Sequence, residues 1–189
     1  NISLNNLNDR AAVYGEDANA LLYKLKASGV KFDFIDTDPY GTPTPFVRSA
    51  LWSVRRGGFL GITATDIAPL SGSRWLAGSR KYDARILRTD FGYEVGLRIL
   101  LGYIARRAAE MERIIKPLIS VLCNQYYRVT FMVDKGARKS QEMLSKNIGY
   151  IYYCNSCLFR NYSTDIELEM LKCPKCGLKL KLIGPLWIG

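Results

Sequence analysis

Short apolar runs alternate with segments of helical periodicity through the first third of the chain. In order, this pattern predicts a strand, a helix, a strand, a helix and a strand over residues 11–14, 17–25, 32–35, 45–56 and 59–65. The continuous apolar strands and the Gly57-Gly58 pair after the second helix are typical of βαβ units on a mostly parallel sheet. The sequence therefore predicts an α/β fold with its ligand site at the carboxyl ends of the strands, where Asp17, Asp38 and Asp66 lie.

The middle of the chain combines one long amphipathic helix with two further strands. Apolar residues at three- and four-residue spacing predict a helix over residues 94–116 that ends at Pro117. Strands follow at 118–122 and 126–133, so that an antiparallel pair would close the parallel sheet. Residues 134–147 are polar and suit a linker or an exposed helix, which predicts two domains at 1–134 and 135–189.

Composition narrows the class of protein. The 189 residues are 48% hydrophobic and 12% aromatic, which is enough for a packed core and argues against disorder. No uncharged apolar run approaches the roughly 18 residues of a membrane-spanning helix, and the N-terminus lacks the layout of a signal peptide. We therefore expect a soluble, cytoplasmic protein without membrane contact, and the sequence predicts no protein partner.

Positive charge is concentrated in the middle of the chain. The total is 27 Lys and Arg against 17 Asp and Glu, a net charge of +10, and residues 74–146 alone carry +8. Such a distribution fits a polyanionic partner, although a solvated basic surface explains it equally well. The candidate contacts to nucleic-acid phosphates are Arg74, Arg80, Lys81, Arg85, Arg88 and Arg106.

Four cysteines form two C-x-x-C pairs separated by fifteen residues, Cys154 with Cys157 and Cys173 with Cys176. Two such pairs are typical of a tetrahedral zinc site, and a sequence without His excludes a mixed Cys/His site. Because four sulfurs leave no open position for water, the zinc would be structural. Two disulfides and four free thiols are the alternatives. Cys123, the fifth cysteine, lies in a predicted apolar strand, where we expect a buried thiol.

An acidic loop, Asp38-Pro39-Tyr40-Gly41, follows the apolar run at residues 32–35. A carboxylate here could accept hydrogen bonds from an exocyclic amino group while Tyr40 stacks on the same base and Pro39 fixes the geometry. Asp, Pro and Gly also build ordinary turns. The residues by themselves therefore leave a catalytic loop and a simple turn equally open.

Several runs of residues form a characteristic set. They are Asp36-Thr37-Asp38-Pro39-Tyr40-Gly41-Thr42-Pro43, Gly61-Ile62-Thr63-Ala64-Thr65-Asp66, Ala68-Pro69-Leu70, Glu94-Val95-Gly96-Leu97-Arg98-Ile99-Leu100, the two cysteine pairs and Gly184-Pro185-Leu186-Trp187. From about Asp17 to the last residue, the chain resembles the tRNA (guanine-N2-)-dimethyltransferases. The resemblance implies a Rossmann-like S-adenosylmethionine-dependent domain, a C-terminal domain that helps to hold tRNA, and methylation of N2 of the guanosine at position 26.

The same resemblance implies roles for individual residues. Asp38 would accept the N2 hydrogens of guanine and approach the cofactor, Pro39 would set the loop, and Tyr40 would stack on the base. Asp17 and Ala18 would meet the adenine of S-adenosylmethionine. The N2 lone pair of guanine is delocalised, so a carboxylate that orients its hydrogens would direct that lone pair towards a methyl donor. No role follows from the family pattern for Thr65, Asp66 and Glu94.

Two features depart from the family. The Gly-rich loop after the first strand of such domains and the acidic residue that holds the ribose are absent, so we expect Asn1 to be an internal position of a longer polypeptide. Tyr93 stands where family members often carry His. The competing hypotheses are a non-catalytic zinc-ribbon nucleic-acid-binding module on an α/β scaffold, and an enzyme that methylates a small amine or an adenine.

Overall fold

A four-stranded sheet forms the centre of the computed structural model, which describes residues 1–166 and 172–189. The strand order is β1-β2-β4-β3, with β1 at Phe32–Thr37, β2 at Val54–Ala64, β3 at Arg113–Cys123 and β4 at Tyr126–Lys135. β1 and β2 are parallel, whereas β4 runs antiparallel to both β2 and β3. The predicted α/β class and the antiparallel β3–β4 pair are confirmed, but the sheet is not mostly parallel, since only one of its three described strand pairs is parallel.

Six α-helices accompany this sheet within the described residues. They are α1 (Ala18–Ala27), α2 (Thr44–Ser53), α3 (Ile67–Leu70), α4 (Trp75–Tyr82), α5 (Gly92–Ala109) and α6 (Ala137–Asn147), preceded by a short 3-10 helix at Ser3–Asn5. In β4, Tyr127, Val129, Phe131 and Val133 are buried while the residues between them stay partly exposed. The core therefore lies between the sheet and the helices α2 and α5. Among the helices of the described residues, none has both the length and the apolar composition needed to cross a membrane.

A second sheet of three antiparallel strands packs against α5. Its order is β6-β5-β7, with β5 at Ile148–Tyr153, β6 at Arg160–Ser163 and β7 at Lys181–Trp187. Gly102 of α5 permits the close approach, because a Cβ atom at this position would lie 2.8 Å from the Leu186 Cα atom. Leu186 and Trp187 belong to the same buried apolar cluster as Ile104. The two sheets therefore share one core.

Helix α6 lies at the predicted boundary between domains. The sequence left a linker and a helix open for this polar segment, and residues 137–147 form a regular helix. Met143 is buried, and its Sδ atom accepts a hydrogen bond from the backbone N–H of Ile115 in β3 (3.3 Å). The segment is therefore packed against the first sheet. The division into residues 1–134 and 135–189 stays a prediction.

Two predicted elements near the start of the chain differ from the structure. Residues 11–14 form no strand and are exposed, and the outer edge of β1 stays unpaired within the described residues. The second helix ends at Ser53, and residues 54–58 begin β2 instead. Gly58 suits a strand here, since a Cβ atom would lie 2.9 Å from the carbonyl oxygen of Asp33 in β1.

The long amphipathic helix is shorter than its periodicity predicts. α5 ends at Ala109, and residues 113–117 lie in β3. Arg113 explains the difference, because its buried guanidinium donates to the carbonyl oxygens of Val54 (2.9 Å) and Trp52 (3.1 Å). These contacts fasten β3 to the start of β2 and remove Arg113 from the polar face of the helix.

Candidate active site and metal site

The acidic loop leaves the carboxyl end of β1 and is fastened to the end of β2. Gly41 has a φ of 80° and donates its backbone N–H to Thr65 Oγ1 (2.6 Å), while the Thr65 N–H donates to the Gly41 carbonyl oxygen (3.0 Å). Glycine adopts this left-handed angle without steric cost. Thr65, to which the family pattern gives no role, thus closes the loop that carries Asp38 and Tyr40.

A buried hydrogen-bond network supports the same loop. The Thr42 hydroxyl donates to the Tyr82 hydroxyl (3.1 Å), which donates to Asp66 Oδ1 (2.6 Å), and Lys81 Nζ donates to Asp66 Oδ2 (3.1 Å). Burial, together with the Asp66 carboxylate, raises the pKa of Tyr82 well above its ordinary value. The hydroxyl therefore stays protonated and remains a donor to Asp66. Asp66 anchors the network, with a side chain only 7% exposed.

Asp38 opens onto a cavity of about 670 Å³. The lining residues are Asp38, Pro39, Tyr40, Thr63, Thr65, Tyr126 and Arg128. The Tyr40 side chain is fully exposed, so its ring is free to receive a ligand. An exposed aromatic ring beside a carboxylate suits a planar base, which would stack on the ring and donate its amino hydrogens to the carboxylate.

A second and more apolar cavity of about 390 Å³ adjoins the loop. It is lined by Ala18, Leu21, Leu22, Ile35, Asp36, Thr37, Asp38, Pro39 and Phe46. Asp17 lies beside it as the N-cap of α1, where its Oδ1 atom accepts a hydrogen bond from the backbone N–H of Ala20 (2.9 Å). Asp38 and Pro39 line both cavities. This arrangement allows a group bound in one cavity to react with a group bound in the other.

Arg128 lies in the wall of the first cavity, although no sequence motif marks it. Its guanidinium donates to Thr63 Oγ1 (2.9 Å) and to Asp36 Oδ2 (3.0 Å), and the hydrogen bond to Asp36 raises the pKa of Arg128. Strand register brings these residues together, because Thr63 is opposite Arg128 and Asp36 is opposite Gly61. Thr63 and Arg128 are 65 residues apart in the chain, so only the sheet reveals the contact.

The four cysteines of the predicted metal site lie together. Their Sγ atoms are all within 4.8 Å of one another, with 3.5 Å between Cys154 and Cys176 and 3.4 Å between Cys157 and Cys173. A tetrahedral site with Zn–S bonds of about 2.3 Å places its sulfurs about 3.8 Å apart, so the cluster fits a zinc ion. The same distances are far longer than the roughly 2.05 Å of a disulfide bond. Four protein sulfurs would complete the coordination shell, as a structural site requires.

Each C-x-x-C pair forms the same turn. The fifth residues of the two turns, Leu158 and Gly177, have φ values of 58° and 73° and donate their N–H groups to the carbonyl oxygen of the first cysteine. The backbone N–H of Cys157 lowers the pKa of Cys154 to about 6, which favours the thiolate that binds zinc. Cys123 lies outside the cluster and is exposed at the end of the edge strand β3, so its predicted burial is wrong.

Comparison with known proteins decides the family. The chain matches the family model for N2,N2-dimethylguanosine tRNA methyltransferase over residues 1–189. The chain belongs to this family. The resemblance inferred from its motifs is confirmed, and family membership favours an enzyme over a non-catalytic scaffold.

Relatives in the N2,N2-dimethylguanosine tRNA methyltransferase family are longer than this chain. It is 41% identical to the tRNA (guanine(26)-N(2)/guanine(27)-N(2))-dimethyltransferase of Aquifex aeolicus, covering 100% of this chain and 48% of the relative. It is 42% identical to the tRNA (guanine(26)-N(2))-dimethyltransferase of Saccharolobus islandicus strain M.14.25, and the match covers 98% of this chain and 47% of that relative. The structure of Trm1 from Pyrococcus horikoshii with S-adenosyl-L-methionine matches with a TM-score of 0.81 and 37% sequence identity. The match covers 94% of this chain and 44% of the Trm1 chain. The chain spans about half the length of the curated relatives it matches.

The basic residues predicted to contact tRNA lie in different places on this member of the dimethyltransferase family. Arg74 and Lys81 line a third cavity of about 850 Å³, which shares three lining residues with the cavity at Asp38. Arg88 lines a smaller cavity of about 200 Å³ that adjoins the third. Arg80 and Arg85 are exposed but line none of these cavities. Arg74, Lys81 and Arg88 are therefore the best placed of the candidates.

Arg106 does not fit the predicted phosphate contact. Its guanidinium donates to the carbonyl oxygens of Pro185 (3.1 Å), Tyr82 (2.8 Å) and Asp83 (2.8 Å). Burial lowers the pKa of Arg106. These contacts use the donors that a phosphate would need and join α5 to β7 and to the end of α4. Arg106 is therefore a structural residue.

Glu94 and Tyr93 differ in their surroundings. Glu94 accepts a hydrogen bond from Arg98 Nε (2.7 Å), and the same guanidinium donates to the Trp187 carbonyl oxygen (3.1 Å). Glu94 thus orients an arginine that ties α5 to β7. Tyr93 is exposed and lines the third cavity, beside the candidate tRNA contacts.

Proposed function

We propose that this chain performs the methyl transfer of a tRNA (guanine-N2-)-dimethyltransferase, from S-adenosylmethionine to the exocyclic N2 of guanosine 26. The observation that carries the proposal is the position of Asp38 at two cavities, one beside the exposed Tyr40 ring and one with Ala18 in its wall. The names of the relatives support the substrate. The neighbour bound to S-adenosyl-L-methionine supports the methyl donor.

Asp38 and Tyr40 would act by orientation and electrostatics. The guanine would stack on the Tyr40 ring, and the Asp38 carboxylate would accept its N2 hydrogens. This contact turns the N2 lone pair out of conjugation with the base, which makes nitrogen a better nucleophile. S-adenosylmethionine supplies an electrophilic methyl group on a positively charged sulfur. Asp38 also lies where it can take the proton that N2 loses as the new N–C bond forms.

The contacts around the loop would keep these two side chains in place before the substrate arrives. Gly41 and Thr65 exchange two hydrogen bonds, and Thr42 is tied through Tyr82 to the buried Asp66. Because the loop is held at both Gly41 and Thr42, little reorganisation is needed when guanine binds. Such preorganisation is the main protein contribution in a reaction that uses no covalent enzyme intermediate.

The remaining parts would hold the tRNA. Arg74, Lys81 and Arg88 would neutralise phosphates beside the cavity at Asp38, and residues 135–189 would form the tRNA-holding domain. The four cysteines would bind a structural zinc ion that stabilises the second sheet. A tRNA substrate also supports the cytoplasmic location expected from the sequence.

The test uses the full-length natural protein, labelled S-adenosylmethionine and a tRNA transcript with guanosine at position 26, followed by nucleoside analysis. We expect label in N2-methylated guanosine. Asp38→Asn should lower kcat about 100-fold to 10,000-fold, the range typical of a lost acid–base or orienting group. Affinity for tRNA should stay nearly unchanged, because the phosphate contacts lie outside the loop.

Asp33 provides the matched control. It is an exposed carboxylate of β1, the strand that leads into the acidic loop, it pairs with Arg55, and it lines neither cavity. Asp33→Asn should methylate tRNA at the wild-type rate. The proposal would be wrong if Asp38→Asn kept full activity, or if it lost tRNA affinity and methylation to the same extent.

A further inference from the structure

Arg128 presents fixed hydrogen-bond donors to the cavity at Asp38. One terminal nitrogen is bonded to Thr63 and the other to Asp36, while 33% of the side chain stays exposed. A guanidinium has five N–H donors. Within residues 1–166 and 172–189, the Nε–H of Arg128 and one hydrogen on each terminal nitrogen have no protein partner. These three donors are available to a ligand in the cavity.

The sheet holds the guanidinium in one orientation. Gly61 lies between Asp36 and Arg128, and a Cβ atom there would be 2.7 Å from Asp36 Oδ1 and 3.0 Å from an Arg128 terminal nitrogen. Glycine at position 61 therefore leaves the space in which the ion pair forms. With Thr63 as a second partner, Arg128 cannot swing freely into solvent, so its donors are preorganised.

The cavity offers an acceptor and a donor to the same ligand. Asp38 can accept hydrogen bonds from an amino group, and Arg128 can donate to an oxygen. Guanine carries both the N2 amino group and the O6 acceptor, whereas adenine has an amino group in place of O6. On the basis of the proposed function, we propose that Arg128 is a specificity-determining residue that donates to O6 of the guanine whose N2 faces Asp38.

A backbone phosphate is the other ligand that a free guanidinium would take. The base is favoured because Asp36 already balances the charge of Arg128, whereas Arg74 forms no ion pair in the described part of the chain. Position agrees with this assignment, since Arg128 shares its cavity with Asp38 and Arg74 does not. Phosphates are best neutralised by an uncompensated cation such as Arg74.

The test compares two tRNA transcripts that carry guanosine or 2-aminopurine at the methylated position. 2-Aminopurine keeps the N2 amino group and lacks O6. In the full-length natural protein, Arg128→Met should lower kcat/KM for the guanosine transcript about 10-fold to 100-fold, the discrimination of a well-formed arginine–guanine contact. It should leave kcat/KM for the 2-aminopurine transcript unchanged, because that substrate has no O6 to lose.

Arg55→Met is the matched control, since Arg55 pairs with Asp33 away from the cavity and should show wild-type values on both transcripts. If Arg128→Met lowers kcat/KM equally for the two transcripts, Arg128 contacts a phosphate or has a structural role, and the inference is overturned. Unchanged values on both would overturn it as well. If the wild type methylates neither transcript, the proposed function fails, and equilibrium binding of the two transcripts by wild type and Arg128→Met still decides whether O6 is contacted.

Discussion

The acidic loop and the cysteine cluster are built from contacts of different range. In each cysteine turn, the backbone hydrogen bond joins residues four apart, from Leu158 to Cys154 and from Gly177 to Cys173. In the acidic loop, Gly41 bonds to Thr65 and Thr42 bonds to Tyr82, which are 24 and 40 residues away. A local turn with metal-ligand spacing can be recognised in a sequence. The motif of the acidic loop can also be recognised in the sequence, but the distant side chains that hold the loop cannot.

The two regions also depend on different forces. Around the cysteines the buried apolar cluster is small, with Tyr152, Cys154, Cys173 and Leu180 as its buried members among the described residues, so a zinc ion held by four thiolates would supply much of the local stability. The loop depends on several hydrogen bonds, each worth about 1 kcal/mol. Removal of the metal site should therefore unfold part of the protein, whereas single changes around the loop should mainly lower the rate of methylation.

Breaking the cysteine cluster should have the largest effect on stability. Replacing Cys154 and Cys173 by Ser removes two of the four sulfurs, and structural zinc contributes about 10 kcal/mol or more in small metal-binding domains. We expect loss of bound zinc and of the two cysteine turns, measured by metal analysis and thermal unfolding. Cys123→Ser changes an exposed cysteine outside the cluster, so this variant should retain the bound zinc and the wild-type structure. A melting temperature that does not respond to a zinc chelator would contradict the structural role.

Removing the Tyr82 hydroxyl should have an intermediate effect. Tyr82→Phe deprives the buried Asp66 carboxylate of one donor and separates it from Thr42, at a cost of about 1.5–3 kcal/mol for a hydrogen bond to a charged group. We expect a lower melting temperature, and a lower kcat with little change in KM for tRNA, because the loop loses orientation. Tyr103→Phe is the control, since its ring packs against Tyr82 at 5.8 Å. A normal kcat in Tyr82→Phe would show that the network does not position the loop.

The smallest effect is expected at Thr65. Thr65→Val keeps the shape of the side chain and removes the acceptor of the Gly41 N–H, which should cost about 0.5–1.5 kcal/mol of stability and reduce kcat. Thr65→Ser keeps the hydroxyl and should behave as wild type in denaturant unfolding and in the methylation assay. If Ser is as harmful as Val, the methyl group of Thr65 matters and the hydrogen bond does not.

Local patterns predicted those elements whose formation depends on neighbouring residues. The periodicity over 17–25 agrees with α1, and the apolar runs at 118–122 and 126–133 agree with the β3–β4 pair. Predictions failed where a distant partner decides the outcome. Residues 11–14 pair with no strand of the described residues, although the outer edge of β1 is unpaired, and Arg113 leaves the helical pattern because its guanidinium binds the carbonyl groups of Trp52 and Val54 where α2 meets β2.

The sequence by itself determined the four-cysteine site, the acidic loop and the family, because each is marked by residues close together in the chain. Only the tertiary structure decided that Arg106 binds carbonyl groups, that Thr65 closes the loop, and that Arg128 lies in the cavity at Asp38. The physical reason is strand register. Pairing of β1, β2 and β4 puts Asp36, Thr63 and Arg128 on one face, and no local periodicity records which residues of distant strands will be opposite one another.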